Sequence, residues 1–459
     1  MRTLDQILTK KDYSRKTPAS LFYKDSPLWQ KLLTIGCVVF LSVAGLGEWK
    51  VLNGMLGGLP KAITLGVIGL AMLYTLFYPD EKRLREIWKP TLLYMSLMAV
   101  LFFWSVVIWV ESFATVSSMI RSCSKLVFQS IAILTAVALV YLFREKAIEL
   151  FTISICITNG AIMLLCIPEY GVGASIQSLV TCLVTFGDAV GYARQLEIHD
   201  LTFVFGQMIL YYAVFAPRTT RQEKRKRWLY LLLCCWFFLV GMKRSAIPAV
   251  LLFILIGLLL RKRKVSGRLY PAVGVCCILF FLVFLYCVRY GIISRLLNSF
   301  GIDMMGRDYL WSMANPYYEF SVTYLGHGFE YVDTIISQWY DAGLINQPFP
   351  FHNDILKVFV EMGFPGFLLW SGIQYVLTPL FWQRYADQQT ALLYMCELGY
   401  MTVTYLTDNT AFYFWSAMAL RLVPLAYAME RKKPPEPKVW MPDSRQEMRD
   451  RIHILMKEV

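Results

Sequence analysis

The sequence predicts an all-α polytopic membrane protein with about twelve transmembrane helices and one large extracytoplasmic loop between the ninth and tenth. Three observations carry that prediction. Hydrophobic residues make up 57% of the chain against 17% charged, and they fall in runs near the roughly 20 residues an α-helix needs to cross a bilayer. The runs do not alternate in polarity, which excludes a transmembrane β-barrel. Basic residues cluster in every second connection, the asymmetry that orients helical membrane proteins.

In order, the crossings are expected at 32–48, 61–78, 91–110, 125–143, 147–167, 200–216, 228–242, 245–260, 270–289, 364–382, 390–406 and 409–429. Lys82, Arg83, Arg85 and Lys89 follow the second crossing, and Arg144 and Lys146 the fourth. Arg218, Arg221 and Lys224 to Arg227 follow the sixth, and Arg261 to Lys264 with Arg268 the eighth. This pattern obeys the positive-inside rule if both termini are cytoplasmic. Residues 1–31, polar and basic with no short apolar stretch and cleavage site, read as a cytoplasmic N-terminal segment. Residues 32–430 form the transmembrane domain, and the Pro-rich, then mixed-charge 431–459 a solvated cytoplasmic tail.

The opposite face then receives residues 168–199, residues 290–363 and a tight turn at Gly241 to Arg244. Within the first, Ala174 to Phe186 is too short and too broken by Gly, Ser and Thr to cross, and suits a surface-lying or re-entrant helix. The formal charge of +13 sits in short clusters beside apolar runs, where it serves topology and membrane lipids. No phosphate-tracking surface for nucleic acid follows from it. Eleven cysteines show no C-x-x-C spacing and lie mostly inside apolar runs as small packing residues.

Chemistry concentrates between Gly306 and Gly366, which holds two of the four histidines. Its core is Gly306-Arg307-Asp308 with Trp311, then Gly326-His327-Gly328, then His352-Asn353-Asp354, closed by Glu361-Met362-Gly363 and Gly366. Lys243 and Arg244 sit in the short turn on the face otherwise poor in cations, so they either snorkel to headgroups or form an anion site. Ser245 is placed to cap the next helix. Arg307 beside Asp308 reads as a surface ion pair or, among Gly306, Tyr309 and Trp311, as a second phosphate clamp. His352 lies just before a helix start with Asn353 or Asp354 as cap, where an imidazole exchanges a proton near neutral pH.

Asp354, Lys357 and Glu361 share one helix face, as an intrahelical charge ladder or as support for His352. Gly363, Pro365 and Gly366 break that helix before the tenth crossing. His327, between two glycines that permit positive φ, either touches substrate or decorates its turn. Glu197, His199 and Asp200 stand at the mouth of the sixth crossing, facing the same compartment. No His, Cys and Asp set has metal-ligand spacing, and no Asp-x-Asp pair could hold a cation on a diphosphate, so no metal and no cofactor is expected.

These motifs resemble the O-antigen polymerase and ligase superfamily, on Lys243-Arg244-Ser245-Ala246, Gly306-Arg307-Asp308 with Leu310-Trp311, Leu325-Gly326-His327-Gly328, His352-Asn353-Asp354-Ile355-Leu356, and Glu361-Met362-Gly363 with Gly366. The resemblance covers residues 200 to 380 and departs from the pattern in Lys243 beside the arginine and in the glycines around His327. It implies a GT-C-like scaffold in a bacterial cytoplasmic membrane and inverting, metal-free transfer from undecaprenyl-diphosphate-linked oligosaccharide at the outer leaflet. His352 would deprotonate the acceptor, and Arg244 and Arg307 would bind the diphosphate. Lys243, Asp308, Trp311, His327, Asp354 and Glu361 would line the substrate. A chain-length regulator and a flippase are the implied partners.

A polymerase, making capsule, exopolysaccharide or O-antigen from one lipid-linked repeat unit as both donor and acceptor, is the expected function. A ligase would pass the glycan to another anchor. A twelve-helix transporter or flippase is the reading from a different class. Against it, residues 79–90 lack the Gly-x-x-x-Asp-Arg/Lys signature of common carriers, and carriers concentrate ionisable residues at the midplane, where only Lys125 and Glu397 stand out.

Overall fold

A computed structural model describes residues 28–431, apart from 57–58, 113–114, 186–188, 264, 302–303 and 305. The two terminal segments expected in the cytoplasm, 1–31 and 431–459, therefore lie almost wholly outside the described residues, as does Lys264. Every regular element described is helical.

The helices are α1 (Leu28–Leu46), α2 (Lys50–Leu56), α3 (Leu59–Ala62), α4 (Leu65–Phe77), α5 (Glu81–Ser112), α6 (Val116–Phe143) and α7 (Lys146–Tyr170). Next come α8 (Val172–Thr185), α9 (Tyr192–Gln195), α10 (His199–Leu210, continued by a π-turn over Tyr211–Phe215), α11 (Arg221–Val240), α12 (Ala246–Leu260) and α13 (Leu269–Arg289). Three short helices follow: α14 (Ile292–Ser299), α15 (Arg307–Ala314) and α16 (Tyr331–Asp341). The chain closes with α17 (Asp354–Gly372, continued by a π-turn over Ile373–Leu377), α18 (Thr378–Tyr385), α19 (Gln388–Thr407) and α20 (Phe414–Arg431).

Among the described residues, seven helical stretches are long and apolar enough to cross a membrane: Leu28–Leu46, Pro60–Phe77, Glu81–Ser112, Val116–Phe143, Lys146–Tyr170, Leu269–Arg289 and Asp354–Tyr385. The chain is a multi-pass membrane protein. Helix α8 falls where the short apolar segment was expected, and α12 is likewise short and apolar.

Two helices form the centre. Every residue of α20 from Phe414 to Met429 and of α10 from Asp200 to Leu210 is buried. Helix α20 packs on α6, α10, α7 and α19. Peripheral helices present bare apolar faces, as in Leu251, Leu255 and Leu258 of α12 and Leu279 and Val283 of α13. Lipid solvates such faces as well as a protein core does, so packing of small residues and polar bonds must select the neighbours. Gly206 of α10 shows this: a Cβ there would lie 2.1 Å from the Tyr400 hydroxyl, which donates to the Phe203 carbonyl at 3.1 Å.

The basic clusters do more than signal topology. Helix α5 starts at Glu81, so Lys82, Arg83, Arg85 and Lys89, expected in a loop, lie on its first turns. Pro90 leaves the Glu86 carbonyl without its helical donor, and the Tyr385 hydroxyl donates there instead. At the end of the π-turn after α10, Arg218 donates to the Ala213 carbonyl at 2.7 Å, with Arg227 and Arg261 on the neighbouring carbonyls of Tyr212 and Val214. Cations at a helix C-terminus meet its negative end.

Candidate active site

The 290–363 segment is itself folded. Its helix α16 packs on α17 and α14 on α13, and Trp311, Tyr318, Phe329, Trp339 and Phe351 are buried. The organising feature is a backbone break in α17 at Gly363, where φ is +62° and ψ −172°. The helix cannot satisfy the carbonyls around that break, and the loop supplies their donors. His327 and Gly328 donate their amides to the Glu361 carbonyl at 3.0 and 2.8 Å, and Phe364 donates to the Tyr324 carbonyl at 2.8 Å. Trp104 of α5 donates its indole to the Met362 carbonyl at 2.8 Å. Gly326 and Gly363 lie back to back: a Cβ on Gly363 would stand 2.2 Å from the Leu325 carbonyl carbon.

That docking fixes the beginning of α17. Asn353 caps it, its side chain accepting from the Leu356 amide at 2.9 Å. The residue before the cap, His352, has φ +49°, a left-handed conformation that costs a residue with a Cβ roughly 1–2 kcal/mol. The strain aims its ring at the turn between α19 and α20, where Nδ1 lies 3.3 Å from Asp408 Oδ1. The other oxygen of Asp408 is 4.0 Å from Lys243 Nζ. Lys243 in turn donates to Glu197 Oε1 at 2.9 Å and faces His199 Nε2 at 3.4 Å. Four connections far apart in sequence, before α10, before α12, before α17 and before α20, thus meet at one end of the bundle.

Electrostatics follow from that geometry. Burial pushes the Asp408 carboxyl up, but the bond with His352 and the Lys243 charge outweigh it and hold it below the usual carboxylate range. Burial, and then Lys243, push His199 below the usual imidazole range. In the tautomer that donates Nδ1–H to Asp408, Nε2 is the ring nitrogen left as an acceptor. Among the described residues, no three His, Cys, Asp or Glu side chains group as metal ligands would.

A second cluster lies behind the first. Lys357, buried, donates to Glu330 at 3.2 Å and Asp333 at 3.0 Å and approaches Glu361 at 3.8 Å. Lys125 of α6 stands 3.9 Å from Glu330. Burial raises the Glu330 carboxyl despite both ammonium groups, whereas on Asp333 burial is outweighed by the Lys357 charge, the hydrogen bond with Glu330 and the Lys125 charge together, and the net shift is downward. The Asp354, Lys357 and Glu361 face is therefore no exposed ladder: Lys357 ties the loop helix α16 to α17. Asp354, 1% exposed, accepts from the Ala411 amide at 2.7 Å, and Glu361, 0% exposed, from the Val332 amide at 3.2 Å.

The other expected residues are spread around the cluster. Trp311 is buried and its indole donates to the Phe351 carbonyl at 2.9 Å, which ties α15 to the residue preceding His352. Arg307 and Asp308 open α15 behind Gly306, each partly exposed; among the described residues no ion pair joins them. Arg244 is exposed at the same turn as Lys243. Ser245 makes no side-chain cap but accepts from Thr407 at 3.5 Å, so this turn touches the residue before Asp408. His327 contacts the Tyr317 carbonyl through Nε2 at 2.7 Å and stacks on Tyr331 at 4.2 Å, and burial lowers its pKa. Asp200 is committed to the first amides of α20, accepting from Trp415 at 2.8 Å and Ser416 at 2.9 Å.

Sequence reasoning missed Asp408, Glu330 and Asp333. Asp408 fell in a two-residue gap between expected crossings 390–406 and 409–429. An acid in so short a turn, on the same face as Lys243 and His352, was the available signal.

No curated protein matches the chain. Residues 229–371 match a family model described as O-antigen ligase, a family of membrane glycosyltransferase-like enzymes acting on lipid-linked glycans. The matched segment runs from α11 through the Gly363 break and contains Lys243, Arg244, Arg307, His327 and His352. Over that segment the chain is similar to the O-antigen ligase family.

Proposed function

We propose that this protein polymerises undecaprenyl-diphosphate-linked oligosaccharide repeat units into a surface polysaccharide, by inverting glycosyl transfer at the outer leaflet of a bacterial cytoplasmic membrane. The observation that carries the reading is the His352 and Asp408 pair, an imidazole backed by a carboxylate and reached by a fixed ammonium. In this reading twelve helices cross the bilayer, both termini are cytoplasmic, and residues 290–363 face outward.

Nε2 of His352 takes the proton of the acceptor hydroxyl as its oxygen attacks the anomeric carbon. The bond from that carbon to the phosphate oxygen breaks, and its electron pair leaves with the lipid diphosphate. Arg307 and Arg244 meet the charge that develops there, which is where preorganised cations help most. No metal is required for either role. Asp408, Lys243 and Trp311 act as positioning residues, as do Asp354 and Glu361, whose burial makes them supports rather than substrate contacts. Asp308 and His327 line the approach.

The description of the matched family as O-antigen ligase favours one second reading, transfer of the glycan to a different anchor. The same match favours transfer over transport. Purified protein in vesicles, given lipid-linked repeat units and no other acceptor, distinguishes polymerase from ligase. A ladder of products supports polymerisation; release or retention of single units, with transfer only when a second acceptor is added, establishes the ligase.

A further inference from the structure

The short helix α14 carries an apolar surface that the transfer chemistry does not use. It follows the membrane-crossing helix α13 directly, turned off it by Gly291 at φ +64°. At 100° per residue, Ile292, Ile293, Leu296, Leu297 and Phe300 fill one arc and Ser294, Arg295, Asn298 and Ser299 the other. Ile293 and Leu297 pack on the core. The outer edge of the apolar arc stays bare, with Ile292 38%, Leu296 50% and Phe300 73% exposed.

Left in water, three large apolar side chains in a row would forfeit the free energy that their burial would release. Their surroundings say what covers them. The face is continuous with the outer surface of α13, of whose most apolar window only 22% is buried. Tyr286 and Tyr290, 4.6 Å apart, and Phe320, 5.8 Å from Tyr286, stand at the junction, half exposed, as aromatic residues do where acyl chains meet headgroups. Arg295, exposed on the polar arc, donates to the Tyr290 carbonyl at 3.2 Å and so points its fork back to the height where α13 ends.

We propose that α14 lies in the headgroup layer of the bilayer, with Ile292, Leu296 and Phe300 among the acyl chains and Arg295 on a phospholipid phosphate. A helix of this kind, with its apolar edge in lipid and its cation at the headgroups, binds by buried area and by attraction to anionic lipid together. The surface is a lipid-docking face and not a seat for a second copy, because it adjoins the exposed apolar face of a helix long and apolar enough to cross the membrane.

The full chain carrying the photoreactive benzoylphenylalanine at Leu296, Phe300 or Asn298, reconstituted in an equal mixture of phosphatidylglycerol and phosphatidylethanolamine, tests this. Val283, on the bare face of α13, is the control. Phospholipid adducts are expected at Leu296 and Phe300 as at Val283, and none at Asn298. Cross-linked dimers at Leu296 and Phe300, or no lipid adduct there while Val283 forms one, would overturn the proposal. Arg295→Gln should lower the share of phosphatidylglycerol among Leu296 adducts, and an unchanged share refutes the phosphate contact.

Discussion

His352 and Asp408 are 56 residues apart in sequence and meet at 3.3 Å, Nδ1 to Oδ1. The contact joins the start of α17 to the turn before α20 and gives an isolated loop imidazole a carboxylate partner. Replacing His352 or Arg307 by Ala should abolish polymer while the protein stays at its normal level in the membrane. The loss at His352 should approach the 10²–10⁴-fold typical of a general base. Long-chain product at wild-type length from both variants, read on a gel of extracted polysaccharide, would refute the site.

Asp408→Asn keeps the shape of the turn and removes the charge that faces both His352 and Lys243. Turnover should fall at least about tenfold with little change in the concentration needed for half-maximal rate, since the group orients the base rather than binding substrate. The same carboxyl gives a pH signature. Its pKa is lowered in the fold from an ordinary value of 3.8, so its stabilisation is full above that value and is lost as pH falls through the folded value. Thermal unfolding in detergent should therefore show a steeper acid decline below about pH 4 for wild type than for Asp408→Asn. Parallel acid limbs would contradict the assignment.

Gly363→Ala should unfasten the loop. The new Cβ meets backbone of Tyr324 to Gly326 within 2.5 Å, and backbone has no rotamer by which to yield. We expect a loss of about 1–3 kcal/mol together with faster proteolysis within residues 300–350, whereas Gly372→Ala, where nothing lies within 4 Å, should be silent. Equal protease resistance of the two variants would show that the break does not hold the loop.

Lys357→Met takes the ammonium from two buried acids, Glu330 and Glu361, and from the partly exposed Asp333, leaving only Lys125 near Glu330. Breaking a buried ion pair from one side costs about 3–5 kcal/mol, so the variant should accumulate poorly. Adding Glu361→Gln removes one of the stranded carboxyls and should recover part of the loss. A double variant no more stable than the single one would mean that Glu361 does not share the Lys357 charge.

Much of this arrangement is legible in the residues themselves. The cap at Asn353 and the break at Gly363 are local events, set by side-chain bonding to the next turn and by a glycine closely followed by proline. Apolar runs give helices at the expected places, though α5 and α17 begin ten residues earlier than the crossings assigned to them, because a polar first turn is as helical as an apolar one. Lys357 is different in kind from its expected role: spacing puts it on a face with two acids, but spacing does not say that α16 covers that face.

The chain by itself determined a helical membrane bundle, the loop that carries arginine and histidine, and the points where backbone geometry must change, since hydrophobic run length and short-range sterics act over a few residues. Only the tertiary structure decided which of those residues meet. Asp408 and Lys243 reach His352 because four inter-helix turns converge at one end of the bundle, and in a lipid-facing protein that convergence is set by helix packing, on which the hydrophobic pattern along any one helix is silent.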